Sequence, residues 1–123
     1  MKGERFDEVA LIAGCAFSAE GRPQSGMGVD AADVDGDGDL DLVCTNFQEE
    51  PNSIYRCEGG LFFTEISAAT GTAEAARRTL GFGVRWFDYD NDGWQDLAVA
   101  NGHIFDAVAQ LEPGGSRAQR QHL

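Results

Sequence analysis

Asp33-Val34-Asp35-Gly36-Asp37-Gly38-Asp39-Leu40-Asp41 and Asp88-Tyr89-Asp90-Asn91-Asp92-Gly93-Trp94-Gln95-Asp96 are two copies of one acidic loop. Both read D-x-D-x-D-G-x-x-D, with acids at positions 1, 3, 5 and 9 and glycine at position 6. Carboxylates alternating along a tight turn aim their oxygens at one centre. The glycine lets the backbone bend so that the position 7 carbonyl, of Asp39 or Trp94, faces that centre too. Hard oxygen ligands in that number suit Ca2+, whereas Mg2+ wants a smaller, stricter octahedron and keeps its waters. The candidate ligands are therefore Asp33, Asp35, Asp37, Asp39 and Asp41 in loop 33–41, and Asp88, Asp90, Asp92, Trp94 and Asp96 in loop 88–96, for about two calcium ions. An acidic run is by default a solvated turn. Two copies with every acid and the glycine in register argue against that default.

The flanks repeat as well. Gly26-Met27-Gly28-Val29 precedes one loop and Gly81-Phe82-Gly83-Val84 the other, and aligning 26–46 on 81–101 gives ten identities in 21 positions at an offset of 55. An EF-hand would carry a bidentate Glu at position 12 between two helices. Position 12 is Cys44 or Val99 here, and the following residues Leu40 to Thr45 and Asp96 to Ala100 read as short apolar strands. The loop is expected to join two strands of a hairpin.

A chain of 123 residues, 42% hydrophobic, holds one domain's worth of material with enough apolar content for a core. Its 16 glycines suit many tight turns between short strands. A net charge of −12 argues against nucleic acid as a partner. Two calcium ions would bring the charge to about −8, relieving part of the repulsion among the loops. No stretch approaches the roughly 20 apolar residues that span a bilayer.

The three cysteines are not matched between the copies: Cys15 aligns with Thr72 and Cys44 with Val99. A cross-strand bridge between Cys44 and Cys57 is one reading, and free buried thiols are the default. Leu11-Ile12-Ala13-Gly14-Cys15 mimics a lipoprotein cleavage box, but Asp7 and Glu8 abut an apolar stretch too short for a signal core. The repeat explains it better, since Phe6-Asp7-Glu8-Val9 matches Phe63-Thr64-Glu65-Ile66 and Gly14 matches Gly71 at an offset of 57. No signal peptide is therefore expected in this chain.

Four strands are expected in the first unit, at Gly26 to Ala32, Leu40 to Thr45, Ser53 to Cys57 and Leu61 to Ile66. Thr70 to Arg78 reads as mostly loop with one helical turn at Ala73 to Ala76. Leu80 to Phe87 opens the second unit, whose second strand ends near Asn101. Where the first unit has its third strand, the second has only Gln121-His122-Leu123. The organisation is thus a first repeat over 6–62, a second, incomplete repeat over 63–111, and a polar tail over 112–123. Trp86, Phe87, Trp94, Phe62 and Phe63 are expected as blade-to-blade core, and His103 as a turn residue.

A period of about 55 residues in four antiparallel strands is the habit of a β-propeller blade. The fold expected is all-β: about two blades, one complete and one partial, each a four-stranded antiparallel sheet. The chain resembles the FG-GAP or VCBS-type repeats of integrin α-like propellers and, more narrowly, the ASPIC/UnbV and cartilage-acidic-protein group. The resemblance rests on Phe63-Thr64-Glu65-Ile66 with Gly71, Asn52-Ser53-Ile54-Tyr55-Arg56, Gly81-Phe82-Gly83-Val84, Phe87 to Trp94 and Asp96 to His103, over roughly residues 6–103. It implies calcium held between the first two strands of a blade and an extracellular, cell-surface or periplasmic location, with a non-enzymatic structural, adhesive or interaction role. It further implies as partners other blades of a parent protein and a protein or carbohydrate ligand. Fewer than two of the roughly four to eight blades of a closed propeller are present, so a fragment of a longer protein is expected. Two alternatives stand beside this reading: a truncated product without independent function, and a piece of a propeller enzyme built around His103.

Overall fold

The structure, a computed structural model, describes residues 5–104 and 119–123. Among the described residues six strands form two antiparallel sheets. β1 (Gly28–Ala32), β2 (Asp41–Thr45), β3 (Ser53–Cys57) and β4 (Phe63–Glu65) follow one another as a four-stranded meander in the order β1-β2-β3-β4. β5 (Gly81–Phe87) and β6 (Asp96–Asn101) form the second sheet. The chain is thus one complete four-stranded blade followed by part of another. Each acidic loop is the connection between the first two strands of its sheet, as the alternation of its flanks predicts.

Residues of β2 alternate between the two faces of its sheet. Asp41, Val43 and Thr45 are buried, and Leu42 and Cys44 on the other face are half-buried. Val43 and Ile54 of the first sheet meet Trp86 of the second, and Ala32, Val34, Ile66, Val84 and Leu97 close around them. The core is therefore the contact between the two sheets, with the Trp86 indole as its largest single piece.

Polar contacts fix the two sheets in register. The Trp86 N–H donates to Asp30 Oδ2 at 2.8 Å, the Thr45 hydroxyl to the Phe82 carbonyl at 2.9 Å, and the Gly81 N–H to the Asn46 carbonyl at 3.2 Å. The innermost strands approach so closely at Gly28 that a Cβ there would lie 2.0 Å from the Phe82 oxygen. Only glycine fits that position.

The second unit begins its third strand in the tail. His122 bridges Val99, their N–H groups exchanging bonds with each other's carbonyls at 2.9 and 3.2 Å. The junction copies the first unit bond for bond. Asn46 donates its backbone N–H to Asn52 Oδ1 and its side-chain amide to the Pro51 carbonyl; Asn101 donates its backbone N–H to Gln121 Oε1 and its side-chain amide to the Arg120 carbonyl. Arg120-Gln121-His122 therefore stands where Pro51-Asn52-Ser53 stands in the first sheet. Residues 105–118, which include the first part of the polar tail 112–123, lie outside the described residues.

Several expectations need correction. Thr70 to Arg78 is less of a loop than its composition suggests: α3 (Thr72–Ala76) occupies it, and α2 (Ser67–Thr70) precedes it. α1 (Ala10–Ala13) is the first unit's counterpart of α2, and the two end on Gly14 and Gly71, both left-handed. Residues 11–14 of the stretch that mimics a cleavage box lie in this repeated turn. Trp94 and Phe62 are exposed, at 63% each, and take no part in the core. The first sheet closes at Glu65, so the sequence unit that starts at Phe63 opens on the last strand of the preceding sheet.

Candidate metal centres

Each loop is held open by its own carboxylates, which accept backbone N–H groups across the turn. Four of these bonds recur at equivalent positions. Position 1 accepts the position 6 N–H (Gly38 to Asp33 Oδ2, Gly93 to Asp88 Oδ2, both 3.0 Å). Position 3 accepts the position 5 N–H (Asp37 to Asp35, Asp92 to Asp90, both 3.2 Å). Position 5 accepts the position 7 N–H (Asp39 to Asp37 at 2.8 Å, Trp94 to Asp92 at 2.9 Å). Position 9 accepts the position 2 N–H (Val34 to Asp41 at 3.1 Å, Tyr89 to Asp96 at 2.9 Å). The acids shared by the two copies thus fold both loops into one set of Asx-type turns.

The position 6 glycines are left-handed, with φ of 94° at Gly38 and 93° at Gly93, as the bend requires. Position 4 is left-handed too, with Gly36 at 80° and Asn91 at 61°. Sequence reasoning overlooked that second bend. Its signal was there, because glycine and asparagine are the residues that tolerate it.

In the first loop, oxygens of Asp33, Asp35 and Asp37 lie within 4.8 Å of one another; in the second, those of Asp88, Asp90 and Asp96 do. Both groups are carboxylate only, open to solvent on one side, and already oriented by the loop's own backbone. Such a donor set fits a hard divalent cation and offers nothing to a soft one. Asp41 and Asp92 stand outside these groups. Asp41 is buried to 1% exposure at the base of its loop, where Oδ2 takes the Val34 N–H and Oδ1 takes the Cys57 N–H of β3 at 2.8 Å. It ties loop, β2 and β3 together. Asp92 is turned to the Trp94 N–H. The side chain of Asp39 and the indole of Trp94 face solvent.

The other candidates separate from these centres. His103 is buried and packs edge-on against Phe47 with ring centroids 6.0 Å apart. All three cysteines are free. The register explains why no bridge joins Cys44 to Cys57: Cys44 faces Ser53 and Cys57 faces Phe63, so four residues of β3 separate the sites. At about 3.3 Å per residue that is far beyond the reach of a disulfide. Burial pushes the Cys44 thiol above its ordinary value, so it stays protonated at neutral pH. No helix among the described residues is long and apolar enough to cross a membrane.

A family model described as an FG-GAP-like repeat matches residues 33–99, from the first aspartate of the first loop into β6. A search of curated proteins finds no match.

Proposed function

The chain belongs to the FG-GAP-like repeat family, and on that premise we propose that its two acidic loops are calcium sites that lock the inner hairpins of an interaction propeller. The observation that carries this reading is that both copies of the loop, on the same backbone bonds, bring three carboxylates within 4.8 Å, at positions 1, 3 and 5 in the first and 1, 3 and 9 in the second. Asp33, Asp35 and Asp37 would hold one ion and Asp88, Asp90 and Asp96 the other. The position 7 carbonyls of Asp39 and Trp94 add a further oxygen each. Asp41 and Asp92 keep unused lone pairs on their carboxylates and complete the two sets.

The ion's contribution is electrostatic and structural. Clustered carboxylates raise one another's energy, and a divalent centre removes that cost while fixing the turn. The role that follows is non-enzymatic. The loops crown the hairpins at one end of the sheets, where exposed Tyr89 and Trp94 sit on the second loop. That end would face a protein or carbohydrate partner outside the cell or at its surface, with other blades beside the two present. An affinity on the order of 10⁻⁴–10⁻³ M, usual for extracellular modules, matches such a setting. An enzymatic role would need a positioned base. A hydrolytic or redox activity lost on His103→Ala is the result that would favour it.

Calorimetry and thermal melting with CaCl2, MgCl2 and NaCl at matched ionic strength test the proposal. Calcium at ten times Kd should stabilise each site by about 1.4 kcal/mol. Asp35→Ala should remove one site and Asp90→Ala the other, with nearly additive losses because the sites share no ligand. Equal shifts from all three salts, or a full calcium response in the double variant, would reduce both loops to acidic turns.

A further inference from the structure

Two of the chain's three cysteines face one cleft. Cys44 lies with Leu42 on the face of β2 opposite Val43, which meets the second sheet. Tyr55 stands across the β2–β3 pair from Leu42 and shares that face. Its hydroxyl donates to the Phe17 carbonyl at 3.1 Å, which lays the segment after α1 over the same face. Cys15 is two residues before Phe17. A cleft of about 200 Å³ results, walled by Cys15, Ala16, Leu42, Cys44 and Tyr55. Burial pushes the Tyr55 hydroxyl above its ordinary value, and Cys44 and Cys15 both add to the rise. Both sulfurs therefore lie within electrostatic reach of one ring.

The second unit shows that this placement belongs to the repeat. Thr72 and Val99, the counterparts of Cys15 and Cys44, also wall one cleft, of about 210 Å³. There the segment carrying Thr72 leads out of a sheet that is present. The neighbourhood of the two positions thus does not depend on what stands before the first sheet. Cysteine occupies both positions in one unit and neither in the other. Cys57 is buried on β3 and takes no part in the cleft.

We infer that Cys15 and Cys44 are a redox pair, whose disulfide staples the segment leading into the first blade onto β2. Both are free thiols here, so this is the reduced form, and a reducing agent leaves it as it is. Closing the bond needs Cα atoms about 4.4–6.8 Å apart. β2 is fixed between β1 and β3, so the closing movement falls to the segment of Cys15. That segment is thinly covered, with Leu11 and Ile12 of α1 exposed at 65% and 77%. The oxidant is a small disulfide of the glutathione class, which suits the extracellular setting proposed above. The Cys15 thiolate attacks one sulfur of the donor, forms a mixed disulfide and expels the first donor thiolate. Cys44 then gives up its proton, attacks Cys15 Sγ and expels the second. Two protein thiols lose two electrons to the donor, and their two protons end on the two donor thiols. Burial disfavours the Cys44 thiolate, so Cys44 resolves the exchange and does not open it. No loop carboxylate takes part.

The test incubates the folded chain with mixtures of reduced and oxidised glutathione. The wild type should lose two of its three thiols and the mass of two hydrogens. Proteolysis without reductant should release one linked peptide pair, joining Cys15 to Cys44 of the same chain. Closing the loop 15–44 should raise the melting temperature over that of the reduced form by on the order of 5–10 °C. Cys57→Ser should behave as the wild type does, whereas Cys15→Ser and Cys44→Ser should gain no internal bond and no rise. Mapping the wild type needs no variant, so the inference stays testable should a substitution prevent folding. A wild type that keeps its three thiols or stops at mixed disulfides would overturn it. So would a link that includes Cys57, a link only between chains, or an oxidised form that melts with the reduced one. Runs in calcium and in chelator keep this result separate from that of the calcium proposal.

Discussion

Asp41 and Asp96 share position 9 of the two loops, and the structure gives them different work. Replacing Asp41 by alanine strips acceptors from two backbone N–H groups, those of Val34 and Cys57, at a site of 1% exposure. A buried donor left without a partner costs about 1–3 kcal/mol. With Val34 only partly buried, the sum is about 2–4 kcal/mol, a large share of the 5–15 kcal/mol usual for a domain. Asp96 takes the Tyr89 N–H in an exposed setting, and its carboxylate belongs to the cluster with Asp88 and Asp90. Water can replace its bond, so Asp96→Ala should cost about 0.5–1 kcal/mol of fold stability. Its main loss should be calcium binding at the second loop. Urea denaturation in chelator separates the two effects, because no ion then contributes to either variant. Asp41→Ala should unfold at clearly lower urea, while Asp96→Ala should lie close to wild type and lose one calcium in calorimetry. Equal midpoints for the two variants in chelator would refute the reasoning, since the buried double acceptance would then carry no weight.

Gly28→Ala should destabilise the contact between sheets by about 2 kcal/mol or more, because its Cβ would meet the Phe82 oxygen at 2.0 Å and neither backbone can move freely. Near-ultraviolet dichroism of Trp86 and a denaturant melt would register it. The Trp86 N–H holds the Asp30 carboxyl below the usual carboxylate range against the cost of desolvation, with smaller pulls from the Ala31 N–H and Arg85. A group with a depressed folded pKa stabilises above its unfolded value and loses that contribution as pH falls through the folded one. The stability difference between wild type and Asp30→Asn should therefore be largest near neutral pH and shrink below about pH 4, as urea melts across that range would show. Reducing agent should leave the melting temperature unchanged, since strand register keeps Cys44 and Cys57 apart.

What could be read from the chain was whatever repeats locally. The two acidic loops, the strands beside them and the matching of 6–9 with 63–66 follow from residue types at fixed spacing, and so does the blade they build. Turn chemistry and a period of two act within a few residues, so they leave a local trace. The short helices α1 and α2 were less legible. They end on left-handed glycines and contain little more than one turn, too short for a helical period to show. Other features had no local trace at all. Trp86 and Trp94 are both aromatic residues beside an acidic loop, yet one is core and the other solvent-exposed. Which of them meets Val43 and Ile54 depends on how the second sheet lies across the first. The same holds for the two position 9 aspartates. Asp41 lies under a third strand whose Cys57 N–H it accepts, and no such bond to a third strand is among the described contacts of Asp96. Identical motif positions acquire different roles because burial and backbone partners come from strands distant in sequence, and only the assembled sheets bring those strands together.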